Sequence, residues 1–180
     1  FDQTFADPEH FGIALSGAIA AGDWHTLALK TDGSLWAWGA GWSGQLGDGS
    51  GSVRYVPYRV GEDSDWVDVT TGNSTSYGVK EDGSLWSWGY NHASLSSLQF
   101  RLGDGSMVLS KAVPERVGSG NDWRLVRGGN GNALAVKQDG SLWGWGSSTY
   151  GRLGMLGATA DSTATNGSLQ AVSDTSAFFP

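Results

Sequence analysis

The sequence predicts an all-β chain of β-propeller-type blades, each of about four short antiparallel strands, with three blades in 180 residues. Three observations carry this. The phrase Asp-Gly-Ser-Leu-Trp-x-Trp-Gly occurs at residues 32–39, again at 82–89 and again at 139–146, in steps of 50 and 57 residues. No segment holds a 3.6-residue apolar period, and the apolar residues come in short runs between glycines. The chain has 29 Gly, about twice the usual share, together with 10 Trp. A unit of about 50 residues is the size of one propeller blade.

Each element follows in order within the unit. Gly22, Gly72 and Gly129 lie eleven residues before the Gly of the Asp-Gly pair, with Ile19, Val69 and Val126 three residues earlier. They mark a first strand, which Trp66 to Val69 begins in the second unit. Thr26 to Lys30, Ser76 to Lys80 and Ala133 to Lys137 read as second strands. Asp-Gly makes the hairpin turn, because Gly takes positive φ without strain. Leu-Trp-x-Trp returns as the third strand. Side chains alternate along a strand, so Trp36 and Trp38 share one face while Leu35 and Ala37 share the other. A strand apolar on both faces is covered on both, as in a blade stacked between neighbours. Trp36, Trp38, Trp86, Trp88, Trp143 and Trp145 are therefore expected to be packing residues rather than ligand residues.

Leu46 to Ser50 and Leu102 to Ser106 make a further turn, and Val-Pro-x-Arg-Val forms the outer segment. Cut at the Pro-led segments, the chain divides into an N-terminal extension (1–7) and repeats at 8–56, 57–113 and 114–172. Residues 173–180 follow as the start of a further strand or a docking tail. Trp66 and Trp123 sit six residues after Val60 and Val117, and Phe178 sits six after Val172. The longer second period comes mainly from an inserted loop at 90–101, expected at the surface.

Composition excludes several classes. The chain has no Cys, hence no disulfide framework, thiolate metal site or Cys nucleophile. Its net charge of -7 argues against nucleic acid, which needs a Lys/Arg surplus. No apolar run approaches the roughly 20 residues that span a bilayer. Phe1 is not a Met start, so the chain is expected to be processed, truncated or part of a longer product.

The pattern Val-x-x-Gly-x-x-His-x-x-Ala-Leu-x-x-Asp-Gly-x-Leu-Trp-x-Trp-Gly, followed by Gly-Gln-Leu-Gly, resembles the repeat of the regulator of chromosome condensation family. The first unit matches best, through Gly22, His25, Ala28-Leu29, Asp32-Gly33, Trp38-Gly39 and Gly44-Gln45-Leu46-Gly47. Thr75 and Asn132 stand where the His would be. The wording is similar to bacterial and archaeal surface versions. The resemblance covers about residues 8–154 and implies a β-propeller, usually of seven blades. Three blades are too few to close a ring, so further blades or further copies are expected to complete one, or else to form a filament.

Enzyme signatures are sparse: no P-loop, no His-Glu-x-x-His, no Gly-x-Ser-x-Gly. His25 reads as a structural histidine bonding blade backbone. Asp32, Asp82 and Asp139 are what an Asp-Gly turn asks for rather than repeated general acids. Asp48 and Asp104 lack the ligand series of a calcium loop. No cofactor and no metal are expected. The candidate binding residues are aromatics the repeat does not explain, Trp24, Trp42, Tyr90 and Tyr150, with Tyr55 and Tyr58, and His92 in the inserted loop. Asn73 and Asn166 head glycosylation sequons.

The expected function is a non-catalytic extracellular or cell-surface module, for protein or glycan interaction or for self-assembly, possible as a subunit of a surface appendage or filament. The alternative is a regulatory propeller acting on a protein partner, as a GTPase exchange factor or an enzyme inhibitor.

Overall fold

The computed structural model describes residues 19–91, 100–154 and 169–172. These residues form three four-stranded antiparallel sheets. Blade 1 holds β1 (Ile19–Ala21), β2 (His25–Leu29), β3 (Leu35–Gly39) and β4 (Arg54–Arg59). Blade 2 holds β5 (Trp66–Thr71), β6 (Thr75–Lys80), β7 (Leu85–Tyr90) and β8 (Ser110–Arg116). Blade 3 holds β9 (Trp123–Gly128), β10 (Asn132–Lys137), β11 (Leu142–Gly146) and β12 (Gln170–Ala171). The expected strand pattern is the observed one.

The sheets cut the repeat at a different phase from the Pro-led division. Pro57 and Pro114 lie inside β4 and β8, the last strands of blades 1 and 2, instead of opening the next unit. Both prolines fall where the register slips, between Ala37 and Gly39 and between Ser87 and Gly89 on the partner strands. An edge-strand bulge is where a residue without an N–H is tolerated. Val172 belongs to the same series: Val60, Val117 and Val172 donate their N–H to Leu35, Leu85 and Leu142 at 2.8, 2.8 and 2.9 Å.

Each hairpin turn is one device used three times. Asp82 Oδ1 accepts from Ser84 N (2.8 Å) and Ser84 Oγ (2.5 Å), and Ser84 Oγ accepts from Trp86 Nε1 at 2.8 Å. Asp32–Ser34–Trp36 and Asp139–Ser141–Trp143 repeat it. Lys30, Lys80 and Lys137 place their ammonium groups 4.1, 4.8 and 4.7 Å from the rings of Trp36, Trp86 and Trp143. These three Trp are half-buried and capped by Lys, whereas Trp88 and Trp145 are fully buried. The five indoles thus occupy two environments.

The core sits between blades. Leu27, Leu29, Leu35, Ala37, Leu46 and Val60 of blade 1 face Trp66, Val69 and Trp88 of blade 2. Tyr77, Val79, Leu85 and Val117 of blade 2 face Trp123, Val126, Ala133 and Trp145 of blade 3. Blade 1 thus presents aliphatic residues forward, blade 2 aliphatic residues with Tyr77, and blades 2 and 3 present Trp backward. The turn glycines fix the approach. Gly33 and Gly83 have φ of 77° and 78°, and a Cβ on either would lie 2.2 Å from the carbonyl oxygen of Ser64 or Asn121 in the next blade. Their own carbonyls accept from Trp66 N and Trp123 N at 3.2 and 3.0 Å.

Candidate functional site: an aromatic pocket on the first blade

Trp24 stands in the turn between β1 and β2. That turn is closed by Gly22 N donating to His25 O (2.9 Å), and Ala40 N holds the Trp24 carbonyl at 2.8 Å. Trp42 stands in the loop after β3, where Gly44 N donates to Gly41 O at 2.8 Å. Tyr55 projects from β4. The backbone therefore brings three strand ends together, and with them three large rings. Trp24 is 55% exposed, Trp42 67% and Tyr55 91%. The Trp24 and Trp42 rings are 6.4 Å apart and tilted by 55°. Together with Trp38, Ala40, Val53 and Arg54 they line an open pocket of about 390 Å³.

The pocket has little that could do chemistry. Its one charged lining group, Arg54, donates Nε to Asp48 Oδ2 at 2.7 Å and lies 4.2 Å over the Tyr58 ring. Desolvation pushes the Asp48 carboxyl up, but the bonds from Ser50 N and Arg54 outweigh it and hold it below the ordinary carboxylate value. Asp104 repeats the arrangement in blade 2 with Ser106 and Lys111. Both acids are thus neutralised structural anchors. Asp32, Asp82 and Asp139 are likewise held low, chiefly by the side-chain bond from the Ser two residues on, which makes them poor general bases. Among the described residues, no group of three or more His, Cys, Asp or Glu could hold a metal.

The other candidates lie elsewhere. Tyr90 ends β7, its carbonyl accepts from Thr75 Oγ1 at 3.0 Å, and Arg101 lies 5.4 Å over its ring. Tyr150 is 90% exposed in a short 3-10 turn, Thr149–Gly151, with a φ of 61°. Tyr58 lies under Arg54 on β4. Asn73 Nδ2, the atom a glycan would use, donates to Asp23 Oδ2 across the seam between blades at 2.7 Å. His92, Asn166, the extension 1–7, most of the 90–101 insertion and the tail 173–180 lie outside the described residues.

His25 does not bond backbone, as expected from the repeat; it bonds a side chain of the next blade. Its Nε2 lies 2.7 Å from Ser76 Oγ, and Ser76 Oγ donates to the Gln45 carbonyl at 2.7 Å. Ser76 has one hydrogen, so His25 is the donor and carries its proton on Nε2. Nδ1 is buried without a partner. Burial alone lowers the pKa from 6.5 to about 4.

Sequence reasoning singled out Trp24, Trp42 and Tyr55, but not Trp38, Val53 or Arg54. Trp38 shares its repeat position with the buried Trp88 and Trp145, so its sequence context carries no sign of a pocket. Arg54 follows the Asp48 turn at the place Lys111 holds after Asp104, a signal of anchoring only.

Family models described as the regulator of chromosome condensation repeat match residues 18–45 and 66–93, and residues 32–79. The ultraviolet-B receptor UVR8 of Arabidopsis thaliana is 34% identical over 142 residues, covering 76% of this chain and 30% of the receptor. The probable E3 ubiquitin-protein ligase HERC6 of Homo sapiens is 32% identical over 144 residues, covering 77% of this chain and 14% of the ligase. Among solved structures, Prp20p of Saccharomyces cerevisiae has a TM-score of 0.72 at 22% identity, over 92% of this chain and 39% of that one. Human WBSCR16 has a TM-score of 0.69 at 24% identity, over 85% of this chain and 36% of that one. The chain spans less than a third of the length of these curated relatives and about two fifths or less of these structures. At such identities the structural likeness concerns the fold.

Proposed function

Because the chain is built of regulator of chromosome condensation repeats, we propose that it is a non-catalytic propeller module whose aromatic pocket on blade 1 contacts a protein partner. The observation that carries this reading is the clustering of Trp24, Trp42 and Tyr55, all exposed, around one open apolar pocket. Exposed aromatic clusters mark interaction surfaces, and Trp and Tyr are the side chains that most often dominate binding energy. Nothing in the pocket pairs a nucleophile with a base. A sugar-binding groove would need several polar groups to read hydroxyls, and the side chains here supply one guanidinium already bound to Asp48. Protein is therefore favoured over glycan.

Placement outside the cytoplasm is part of the proposal, on the two sequons and on the likeness of the repeat wording to surface versions. Cell fractionation tests it.

The partner contact is tested by placing a photo-crosslinking amino acid at Tyr55 in the producing organism. Discrete protein adducts are expected, and the double substitution Trp24→Ala with Trp42→Ala removes them. Adducts unaffected by that pair, or none at all with glycan binding in their place, would refute the reading.

A further inference from the structure

Successive strands of each sheet are antiparallel, so their connections alternate between two ends of the blades. At one end the hairpin turns of Gly33 and Gly83 approach Ser64 and Asn121 in the crossovers to the next blade. This end is acidic, with Asp32, Asp82 and Asp139 in the turns and Glu62, Asp63 and Asp122 in the crossovers. At the other end the turns after β1, β5 and β9 adjoin. A Cβ on Gly22 would lie 2.9 Å from the Gly72 carbonyl oxygen, and one on Gly72 2.8 Å from that of Gly129.

This second end has a different charge balance. Asp48 and Asp104 are each bound to a base, Arg54 and Lys111, and Asp23 accepts from Asn73. Two arginines stand there as well. The Arg101 backbone is pinned: its N–H donates to Asn91 Oδ1 at 2.8 Å, and its carbonyl accepts from Tyr77 Oη at 2.7 Å and Trp145 Nε1 at 2.9 Å. Its guanidinium lies over the Tyr90 ring and against Gly131, with Nε 3.6 Å from the Cβ position of that glycine. That Nε is buried without a partner. Arg152, exposed, donates Nη1 to the Asn130 carbonyl at 2.8 Å and Nε to the Thr149 carbonyl at 3.0 Å. Both guanidiniums thus reach one peptide, Asn130–Gly131, and among the described residues neither meets a carboxylate. Like charges gathered at one turn repel, and an anion bound at that turn relieves the repulsion. Tyr150, two residues before Arg152, holds a φ of 61° with its ring 90% exposed. A non-Gly residue at positive φ is strained, and such strain concentrates at sites of function.

We propose that Arg101 and Arg152 form a carboxylate-binding site for an acidic segment of a protein partner, at the same end of the blades as the aromatic pocket. Guanidinium forks match planar carboxylates. A phosphate would draw on backbone N–H groups too, and here Gly129 N and Gly131 N are spent inside the turn, on the Asn132 and Gly129 carbonyls at 2.8 and 2.9 Å. The inference rests on the reading of the chain as a protein-binding module, and adds the chemistry of the partner.

The test is fluorescence anisotropy of a labelled deca-glutamate peptide with the full chain at about 50 mM salt, where screening is weak. The chain has a net charge of -7, so its overall field repels this probe, and saturable binding requires a local basic site. Arg101→Gln and Arg152→Gln are each expected to weaken binding about tenfold. Arg116→Gln removes the same charge at the acidic end and is expected to change binding by less than about twofold. Circular dichroism checks the fold, and the exposed Arg152 carries the test if Arg101→Gln unfolds. A phosphoserine peptide of equal charge is expected to bind no tighter. A parent that does not bind deca-glutamate, binding unchanged in Arg152→Gln, equal weakening in Arg116→Gln, or tighter binding of the phosphoserine peptide would overturn the proposal. Silence of the peptide alongside discrete protein adducts at Tyr55 would sink the carboxylate site and leave the aromatic contact standing; peptide binding without adducts would do the reverse.

Discussion

Acidification is expected to loosen the seam between blades 1 and 2 through His25, at pH values above those at which the lowered carboxyls of Asp32, Asp82 and Asp139 take up protons. The ring is buried and bridges to Ser76, with its proton on Nε2 and no acceptor at Nδ1. A second proton would place a charge in the seam with nothing to receive it. The folded pKa is therefore lowered, from 6.5 to about 4. The sign follows from linkage. Below pH 6.5 the unfolded chain binds the proton and the folded chain does not, so stability is complete above 6.5. It falls as the pH drops towards 4, then levels off. A lowering of 6.5 − 4 = 2.5 pH units corresponds to about 3 kcal/mol in total. About 2 kcal/mol of that is lost by pH 5, a fall of roughly 4–8 °C in midpoint for a chain of this size.

The assay is urea or thermal unfolding of parent and His25→Asn at pH 8, 6.5, 5 and 4. Asparagine keeps a donor, does not titrate, and already stands at this repeat position in blade 3 as Asn132. At pH 8 the variant is expected to be about 1 kcal/mol less stable, for a weakened bond to Ser76. At pH 5 the order reverses, because only the parent has lost stability by protonation. The subtraction removes any contribution from His10 and His92, which both proteins share. Parallel curves for parent and variant from pH 8 to pH 4 would refute the account.

Further expectations concern the repeated devices. Gly140→Ala is expected to cost about 1 kcal/mol, the strain of positive φ alone, whereas Gly83→Ala must also displace the Asn121 carbonyl 2.2 Å away and is expected to cost about 2 kcal/mol more; equal melting shifts would contradict the close-approach argument. Trp88→Ala is expected to cost about 3–5 kcal/mol, and Trp38→Ala distinctly less because it opens on the pocket; chemical denaturation of the two variants decides. The carboxyls of Asp32, Asp82 and Asp139 are held below 3.8, mainly by Ser34, Ser84 and Ser141. Their stabilisation is present above 3.8 and is lost as the pH falls through the lowered values, so a second acid transition should follow the His25 one, shallower in Asp82→Asn.

The blades were legible because their signals are local. Asp-Gly-Ser-Leu-Trp encodes a turn, an Asp–Ser–Trp relay and a return strand within eight residues, and each repetition restates it. The phase was not legible, since a period has no natural starting point; the bulges at Pro57 and Pro114, which depend on strand pairing, set it. The partner of His25 was not legible either. Ser76 is 51 residues away, and the repeat offers Thr75 and Asn132 at the His position without saying what faces them.

The aromatic site shows the same division between local and non-local. Trp24 and Trp42 stand out because the repeat does not require them, and that was enough to mark them. Their meeting with Tyr55 depends on β4 returning alongside β3, a pairing between segments about 20 residues apart. Trp38 is the instructive case. Its sequence context matches Trp88 and Trp145, which are buried because the preceding blade covers each. Burial of that Trp is a property of the seam and not of the strand. Gly140 and Gly154 keep the positive φ that Gly33 and Gly47 hold in blade 1. A repeat sequence writes half of each interface into every unit, so the burial of a repeated residue is decided by the blade that faces it.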